Sequence, residues 1–218
     1  MATPYFQMRL DRVPSTQDVA RDELKDLPLL VLARAQTEGR GRGGAAWMNA
    51  DRAVAASLAF RHDVDESRPL SLMAGLAAVR STSNTSLKWP NDVMVDESKV
   101  GGILVERSEG TTVIGIGLNL WWPHPPEGMG ALFADDPGDK TYAEVGALWG
   151  AELIEVLDGD GWPVDAYRDV CITLGREITW DPGGEGRAID IAADGALVVE
   201  TRAGEETIYS GAVRHLRS

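Results

Sequence analysis

The chain has 218 residues, of which 44% are hydrophobic and 25% are charged, and its net charge at pH 7 is −13. This composition is typical of a globular protein, and the acidic excess argues against a broad nucleic-acid or anionic-membrane surface, since both need clustered cations. No apolar run approaches the roughly 18 residues of a membrane-spanning helix, no export signal opens the chain, and one cysteine fits a reducing compartment. We therefore expect a cytoplasmic protein that binds neither nucleic acid nor membranes.

The first half of the chain is predicted to mix strands and helices. A weak strand at 6–10 precedes Ser15, which is expected to cap a helix running to about residue 27, with Asp18 reaching back to complete a capping box. Apolar runs at 28–35, 52–61 and 111–120 predict buried strands. The helical spacing of apolar residues at 69–80 predicts a buried helix.

Residues 39–47, called here the glycine loop, follow the predicted strand at 28–35. Four of the first six residues are glycines, which lose the most backbone entropy on ordering, so such a loop stays mobile or closes around a ligand. Arg40 and Arg42 alternate with these glycines and offer two guanidinium groups to one anion. A flexible Arg–Gly tract is the alternative, but the short internal position between strands favours a ligand loop.

Two of the four lysines of the chain, Lys88 and Lys99, bracket a Pro-Asn-Asp turn at 90–92. A Gly-Gly pair at 101–102 follows and allows a close approach to the backbone. Scarce cations beside a glycine pair suggest a bound anion, whereas the alternative is a hairpin whose lysines are only solvated. Further on, Gly115 and Gly117 face the same side of one strand and would form a smooth floor for a flat ligand, although close packing also explains them.

The last part of the chain changes character. Residues 121–138 predict a loop, and 140–157 and 163–174 predict helices. Four short alternating runs between 177 and 209, separated by glycine-containing turns, predict a small β-barrel. We therefore expect two domains, at residues 1–173 and 174–218.

Four motifs in this order resemble those of the biotin–protein ligases (biotin–acetyl-CoA-carboxylase ligases), in the short form without an N-terminal DNA-binding domain. They are Ser15-Thr16 at a helix start, Gln36-Thr-x-Gly-Arg-Gly-Arg-Gly with Trp47, Lys88-Trp-Pro-Asn-Asp with Lys99-x-x-Gly-Ile-Leu-Val-Glu, and Gly-x-Gly-x-Asn ending at Asn119. The resemblance implies an α+β fold. A class II synthetase-like catalytic domain, with a mixed sheet and helices, would precede a C-terminal SH3-like β-barrel.

The resemblance also implies a two-step reaction. Biotin and ATP, with Mg²⁺, would form biotinyl-5′-AMP and pyrophosphate, and a lysine of a biotin carboxyl-carrier protein would then take the biotinyl group and release AMP. The protein would act as a monomer or a homodimer. A lipoate- or octanoate-protein ligase and a degenerate biotin-binding protein are the alternatives.

The family motifs imply roles for individual residues. The motifs imply catalytic roles for Lys99, Arg42 and Lys88. Biotin would be bound by Ser15, Thr16, Gln17, Gln36, Arg40, Gly41, Arg42, Lys99, Gly115 and Gly117. ATP or the adenylate would be bound by Arg40, Arg42, Trp47, Lys88, Asn91, Asp92 and Asn119. No metal would be fixed by the protein alone. The family usually has an asparagine where Gln17 stands and further basic residues where 43–46 stand, so weaker retention of the adenylate is predicted.

Overall fold

A computed structural model describes residues 2–61, 68–209, 211 and 213–216. Its larger part is a seven-stranded mixed sheet in the order β1-β2-β3-β7-β6-β5-β4. The strands are β1 Phe6–Val13, β2 Leu29–Gln36, β3 Arg52–Arg61, β4 Ser86–Lys88, β5 Asp92–Val95, β6 Ser98–Ser108 and β7 Thr111–Trp121. Strand β1 is parallel to β2, and the other neighbours are antiparallel.

Helices cover both faces of this sheet because its central strands are apolar on both sides. The helices are α1 Thr16–Asp22, α2 Leu70–Ser81, α3 Thr141–Asp158 and α4 Val164–Val170. Leu30 and Leu32 of β2 face the main core with α2 and α3, whereas Leu29 and Val31 face a smaller cluster with α1. The face that carries α1 also carries the candidate site. No helix in the described part is long and apolar enough to cross a membrane.

The chain ends in a five-stranded antiparallel sheet in the order β11-β10-β9-β8-β12. Its strands are β8 Glu177–Trp180, β9 Gly184–Ile191, β10 Leu197–Thr201, β11 Gly204–Ile208 and β12 Val213–His215. Trp89 joins the two sheets: its backbone N–H donates to Thr173 Oγ1 (3.0 Å) and its indole N–H to the Gly195 carbonyl (3.0 Å). Thr173 Oγ1 also lies 3.1 Å from His215 Nε2. This junction brings β12 to the edge of the site.

The α+β class is confirmed, and four details of the prediction were wrong. Helix α1 ends at Asp22, because the next turn buries Leu24 against the α1 cluster as the chain bends towards β2. Ser15 caps the helix by accepting from the Asp18 N–H (3.4 Å), but the Asp18 carboxylate binds arginines and does not reach back. Helix α4 covers only part of 163–174. The C-terminal sheet has five strands rather than four, since the three residues of β12 are too few to give a pattern.

Candidate active site

One cavity of about 320 Å³ opens on the α1 face of the large sheet. Strands β3, β6 and β7 form its floor, and helix α1, the glycine loop and the turn at 90–92 form its walls. Val213 of β12 and Gly211 before it line one edge of the cavity. Most of the predicted site residues line it together: Ser15, Thr16, Gln17, Gln36, Arg40, Gly41, Arg42, Trp47, Asn91, Asp92, Lys99, Gly115 and Gly117.

A chain of buried hydroxyl and amide groups forms one end of the cavity. Ser57 Oγ donates to Thr16 Oγ1 (2.8 Å), and the Thr16 hydroxyl and backbone N–H both donate to Gln36 Oε1 (3.0 and 2.7 Å). All three side chains are buried. Because each group holds the next, this neutral end of the site is rigid before any ligand arrives.

Gln17 adds an unpaired acceptor to the same end. Its Nε2 donates to the Leu104 carbonyl (3.3 Å), but its Oε1 has no hydrogen-bond partner among the described residues, although Gln17 is only 5% exposed. A Cβ on Gly115 would lie 2.9 Å from this oxygen, so the amide lies directly over the glycine. A buried acceptor without a donor is costly, and a ligand N–H would satisfy it.

The middle of the floor is a pair of glycines covered by Trp47. Gly102 of β6 is the cross-strand partner of Gly117 of β7. A Cβ on Gly117 would lie 2.7 Å from Trp47 Cε2, and one on Gly102 would lie 3.1 Å from Trp47 Cζ3. The indole therefore lies against bare backbone, and any larger residue at Gly117 would displace it. The glycine floor predicted from β7 thus includes Gly102 of the neighbouring strand.

Cations stand at the other end of the cavity. Lys99 Nζ lies 2.6 Å from Asp92 Oδ1, and Arg42 Nη1 donates to Asn91 Oδ1 (3.0 Å). Asn91 is itself fixed, because its Nδ2 donates to the Ile103 carbonyl (3.2 Å). This cation end, comprising Arg42 and Lys99, can screen the negative charge of two anions brought close together.

Arg40 lines the cavity, but its guanidinium is occupied. It donates to both carboxylate oxygens of Asp18, at 2.8 and 2.7 Å. These bonds lower the pKa of the Asp18 carboxyl below its ordinary value and raise the pKa of Arg40. In this arrangement Arg40 is a less available cation than Arg42.

Two predicted residues, Lys88 and Asn119, lie outside the cavity lining. Lys88 is the cross-strand neighbour of Asp92 but borders a separate hollow beside Arg176 and His215. Burial, together with the charges of Lys88 and Arg176, lowers the pKa of His215 to about 4. Asn119 is fully buried: its Nδ2 donates to the Gly130 carbonyl (3.0 Å), and its Oδ1 has no partner among the described residues.

Several site residues were missed in the sequence. Ser57 carries the one hydroxyl in the otherwise apolar run of β3, and this was the only feature of the sequence that could have indicated a role in the site. Asp18 was assigned to the helix cap, although its partner is Arg40. Gly211 and Val213 could not be placed, since nothing in their local pattern indicates which end of the C-terminal sheet meets the cavity.

No preformed metal centre is found in the part of the chain that the structure describes, where no three His, Cys, Asp or Glu side chains are grouped to hold an ion. Asp92 is the single carboxylate residue among the residues that line the cavity. Mg²⁺ commonly binds through one or two carboxylates plus substrate phosphates. The donor set therefore fits an ion that arrives bound to a nucleotide.

Comparisons with known proteins agree with this geometry. Residues 10–120 match the biotin/lipoate A/B protein ligase family, and residues 173–216 match the biotin protein ligase C terminal domain. A biotin–[acetyl-CoA-carboxylase] ligase of Mycobacterium tuberculosis is 30% identical over 87% of this chain and 79% of that protein. The structure of a biotin protein ligase from Aquifex aeolicus in complex with biotin and ATP is 26% identical, with a TM-score of 0.83 over 98% of this chain and 99% of that one. The chain belongs to the biotin/lipoate A/B protein ligase family.

Proposed function

We propose that the protein is a biotin–protein ligase, which activates biotin with ATP to biotinyl-5′-AMP and transfers the biotinyl group to a lysine of a biotin carboxyl-carrier protein. One observation carries the proposal: a rigid neutral hydrogen-bonding end and a cation end lie on one glycine floor. A Cβ on Gly115 would meet Gln17, and a Cβ on Gly102, the cross-strand partner of Gly117, would meet Lys99 Nζ at 3.5 Å, so the neutral end and Lys99 are offset by roughly 7 Å along the strands. Biotin has the matching parts, a neutral urea at one end and a carboxylate at the other.

The neutral end favours biotin over lipoate. The ureido N–H groups of biotin would donate to Oε1 of Gln17 and to the buried chain of Ser57, Thr16 and Gln36, with the Ser15 hydroxyl at the same end of the cavity. Lipoate has a disulfide in place of the urea and would leave the buried Oε1 of Gln17 without a donor. Sites built around such hydrogen bonds reject analogues that lack the partner by about 10⁴-fold or more. No observation favours lipoate or octanoate.

The cation end serves the first chemical step. A carboxylate oxygen of biotin attacks the α-phosphorus of ATP, and the bond to pyrophosphate breaks. Both reactants are anions, so cations fixed around the phosphate must screen them and stabilise the charge of the transition state. Lys99 would contact the biotin carboxylate and the α-phosphate, and Arg42 would hold the phosphate from the glycine loop.

The nucleotide would extend from the cation end towards the turn at 90–92 and the end of β7. Asn91 and Asp92 would position the phosphates, and Asp92 would hold Mg²⁺, which would supply further positive charge when it arrives with ATP. Asn119 offers a buried Oδ1 acceptor that has no partner among the described residues. The exocyclic amino group of adenine is a suitable donor, and binding it would require movement of the residues that bury Asn119.

The second step needs access for a protein lysine and protection of the adenylate from water. Trp47 and the glycine loop would cover the anhydride, since a closed site limits hydrolysis. The carrier amine then attacks the biotinyl carbonyl, forming an amide and releasing AMP. We place the reaction in the cytoplasm, in a monomer or homodimer, with the carrier as the protein partner and no nucleic-acid partner.

Transfer to a carrier domain tests the whole proposal. The protein is incubated with ATP, Mg²⁺, biotin and the carrier domain of a biotin-dependent carboxylase, and the mass of the carrier is measured. We expect the carrier to gain one biotinyl group. A carrier whose acceptor lysine is replaced by arginine is the control and should gain none. A carrier that stays unmodified while the adenylate forms would contradict the transfer step.

A further inference from the structure

Four charged side chains form a closed network at the edge of the cavity. Arg40 of the glycine loop binds both oxygens of Asp18 (2.8 and 2.7 Å), and its Nη2 lies 3.5 Å from Glu106 Oε2. Arg21 completes the ring, with Nη1 3.1 Å from Asp18 Oδ1 and Nη2 2.8 Å from Glu106 Oε2. Two cations and two anions compensate each other. The network therefore ties the glycine loop to helix α1 and to strand β6.

The glycine loop is itself a small hairpin, so fixing one residue fixes the others. Arg40 pairs with Ala46 across the loop, the Gly41 N–H donates to the Ala45 carbonyl (2.7 Å), and the Trp47 N–H donates to the Gly39 carbonyl (2.8 Å). Trp47, which covers the glycine floor, follows Ala46 directly. A change at Arg40 is therefore passed to the indole through backbone contacts rather than through the cavity.

We propose that Asp18, supported by Glu106, is a positioning residue that acts through Arg40 to keep the glycine loop closed over the adenylate. This inference rests on the proposed function. The two loop arginines would then have different roles. Arg40 holds the loop, whereas Arg42 remains the cation that binds the phosphate, because its partner is the neutral amide of Asn91.

The ion pairs of this network should favour the closed conformation of the glycine loop and still allow the loop to open. The side chains of Arg40 and Asp18 are 36% and 42% exposed, so solvent screens their attraction. Exposed ion pairs contribute modestly, and a bidentate pair within a network contributes more. Loss of the pair should speed adenylate dissociation by about three- to tenfold. Such a loop can still open to admit biotin and ATP.

A double-mutant cycle tests the inference directly. Enzyme loaded with biotin and α-labelled ATP in a single turnover is separated from free nucleotide, and the adenylate that stays bound is followed with time. The variants are Asp18→Asn, Arg40→Gln and the double variant. Asp22→Asn is the matched control, because Asp22 lies on the same helix, is exposed and forms no ion pair in the described part of the chain.

We expect Asp18→Asn to release the adenylate faster in the wild-type background and to add nothing in the Arg40→Gln background. Asp22→Asn should match the wild type, and Asp18→Glu, which keeps the carboxylate, should restore part of the retention. If Asp18→Asn folds poorly, Arg40→Lys tests the same point, since one ammonium cannot replace the two-pronged contact.

Unchanged retention in Asp18→Asn, or equal effects of Asp18→Asn with and without Arg40, would overturn the inference. Failure of the proposed function is a separate result, because the wild type would then form no adenylate at all. A melting temperature measured for each variant separates loop release from loss of the fold. Asp18→Asn should keep the wild-type melting temperature within the range of the Asp22→Asn control.

Discussion

Replacement of Lys99 by alanine tests the cation end most severely. The Lys99 ammonium lies 2.6 Å from Asp92, and the two side chains are 29% and 22% exposed. Lys99→Ala removes a cation and leaves Asp92 without its ion-pair partner, so the net charge of the Lys99–Asp92 pair falls from zero to −1. Two unit charges 4 Å apart interact by about 4 kcal/mol at an effective dielectric constant of 20. Loss of one transition-state donor costs about 10²- to 10³-fold in rate, which is of similar size.

We therefore expect Lys99→Ala to form adenylate about 10²- to 10³-fold more slowly, measured as pyrophosphate release. The fold should persist, because the strand is held there by backbone bonds: Lys99 N–H to the Gly128 carbonyl and Gly130 N–H to the Lys99 carbonyl, both 2.9 Å. Lys25→Ala, at an exposed position, is the matched control and should be unaffected. Wild-type pyrophosphate release by Lys99→Ala would refute the role assigned to this lysine.

Three further variants probe other parts of the site and the fold. Arg42→Ala should speed adenylate dissociation more than it weakens biotin binding, measured by filter retention and titration calorimetry; equal losses would contradict the phosphate contact. Gly117→Ala forces Trp47 off the floor and should weaken biotin binding by about 1–3 kcal/mol, whereas Gly159→Ala, whose new Cβ meets only ordinary contacts, should not. The pKa of His215 is about 4 in the folded state and 6.5 ordinarily, so the unfolded state binds more protons between these values. Stability should therefore fall as pH drops from 6.5 to 4, and His215→Gln should flatten this dependence in thermal melts.

The motifs predicted which residues line the cavity better than which contacts those residues make. Spacing along one strand was enough to place Gly115 and Gly117 on one face, because strand periodicity is local. The pairing of Gly102 with Gly117 depends on the register of two strands, which no local pattern contains. Trp47 was expected to contact the nucleotide, and it lies against these two glycines because that register brings them together.

The charged residues were harder to predict for a physical reason. Arg40 and Arg42 occupy equivalent places in an alternating sequence, yet one binds a carboxylate and the other a neutral amide. The difference comes from Asp18, 22 residues earlier, whose side chain suited a helix cap equally well. Lys88 is similar: its position beside Asp92 could be inferred, but its separation from the cavity depends on where the C-terminal sheet packs.

Pyrophosphate release tests the central claim most directly. The protein is supplied with ATP and Mg²⁺, and biotin or lipoate is added in separate reactions. The two-ended cavity predicts release with biotin and no release above background with lipoate. Release with lipoate in preference to biotin, or tight biotin binding without release under either condition, would contradict the account.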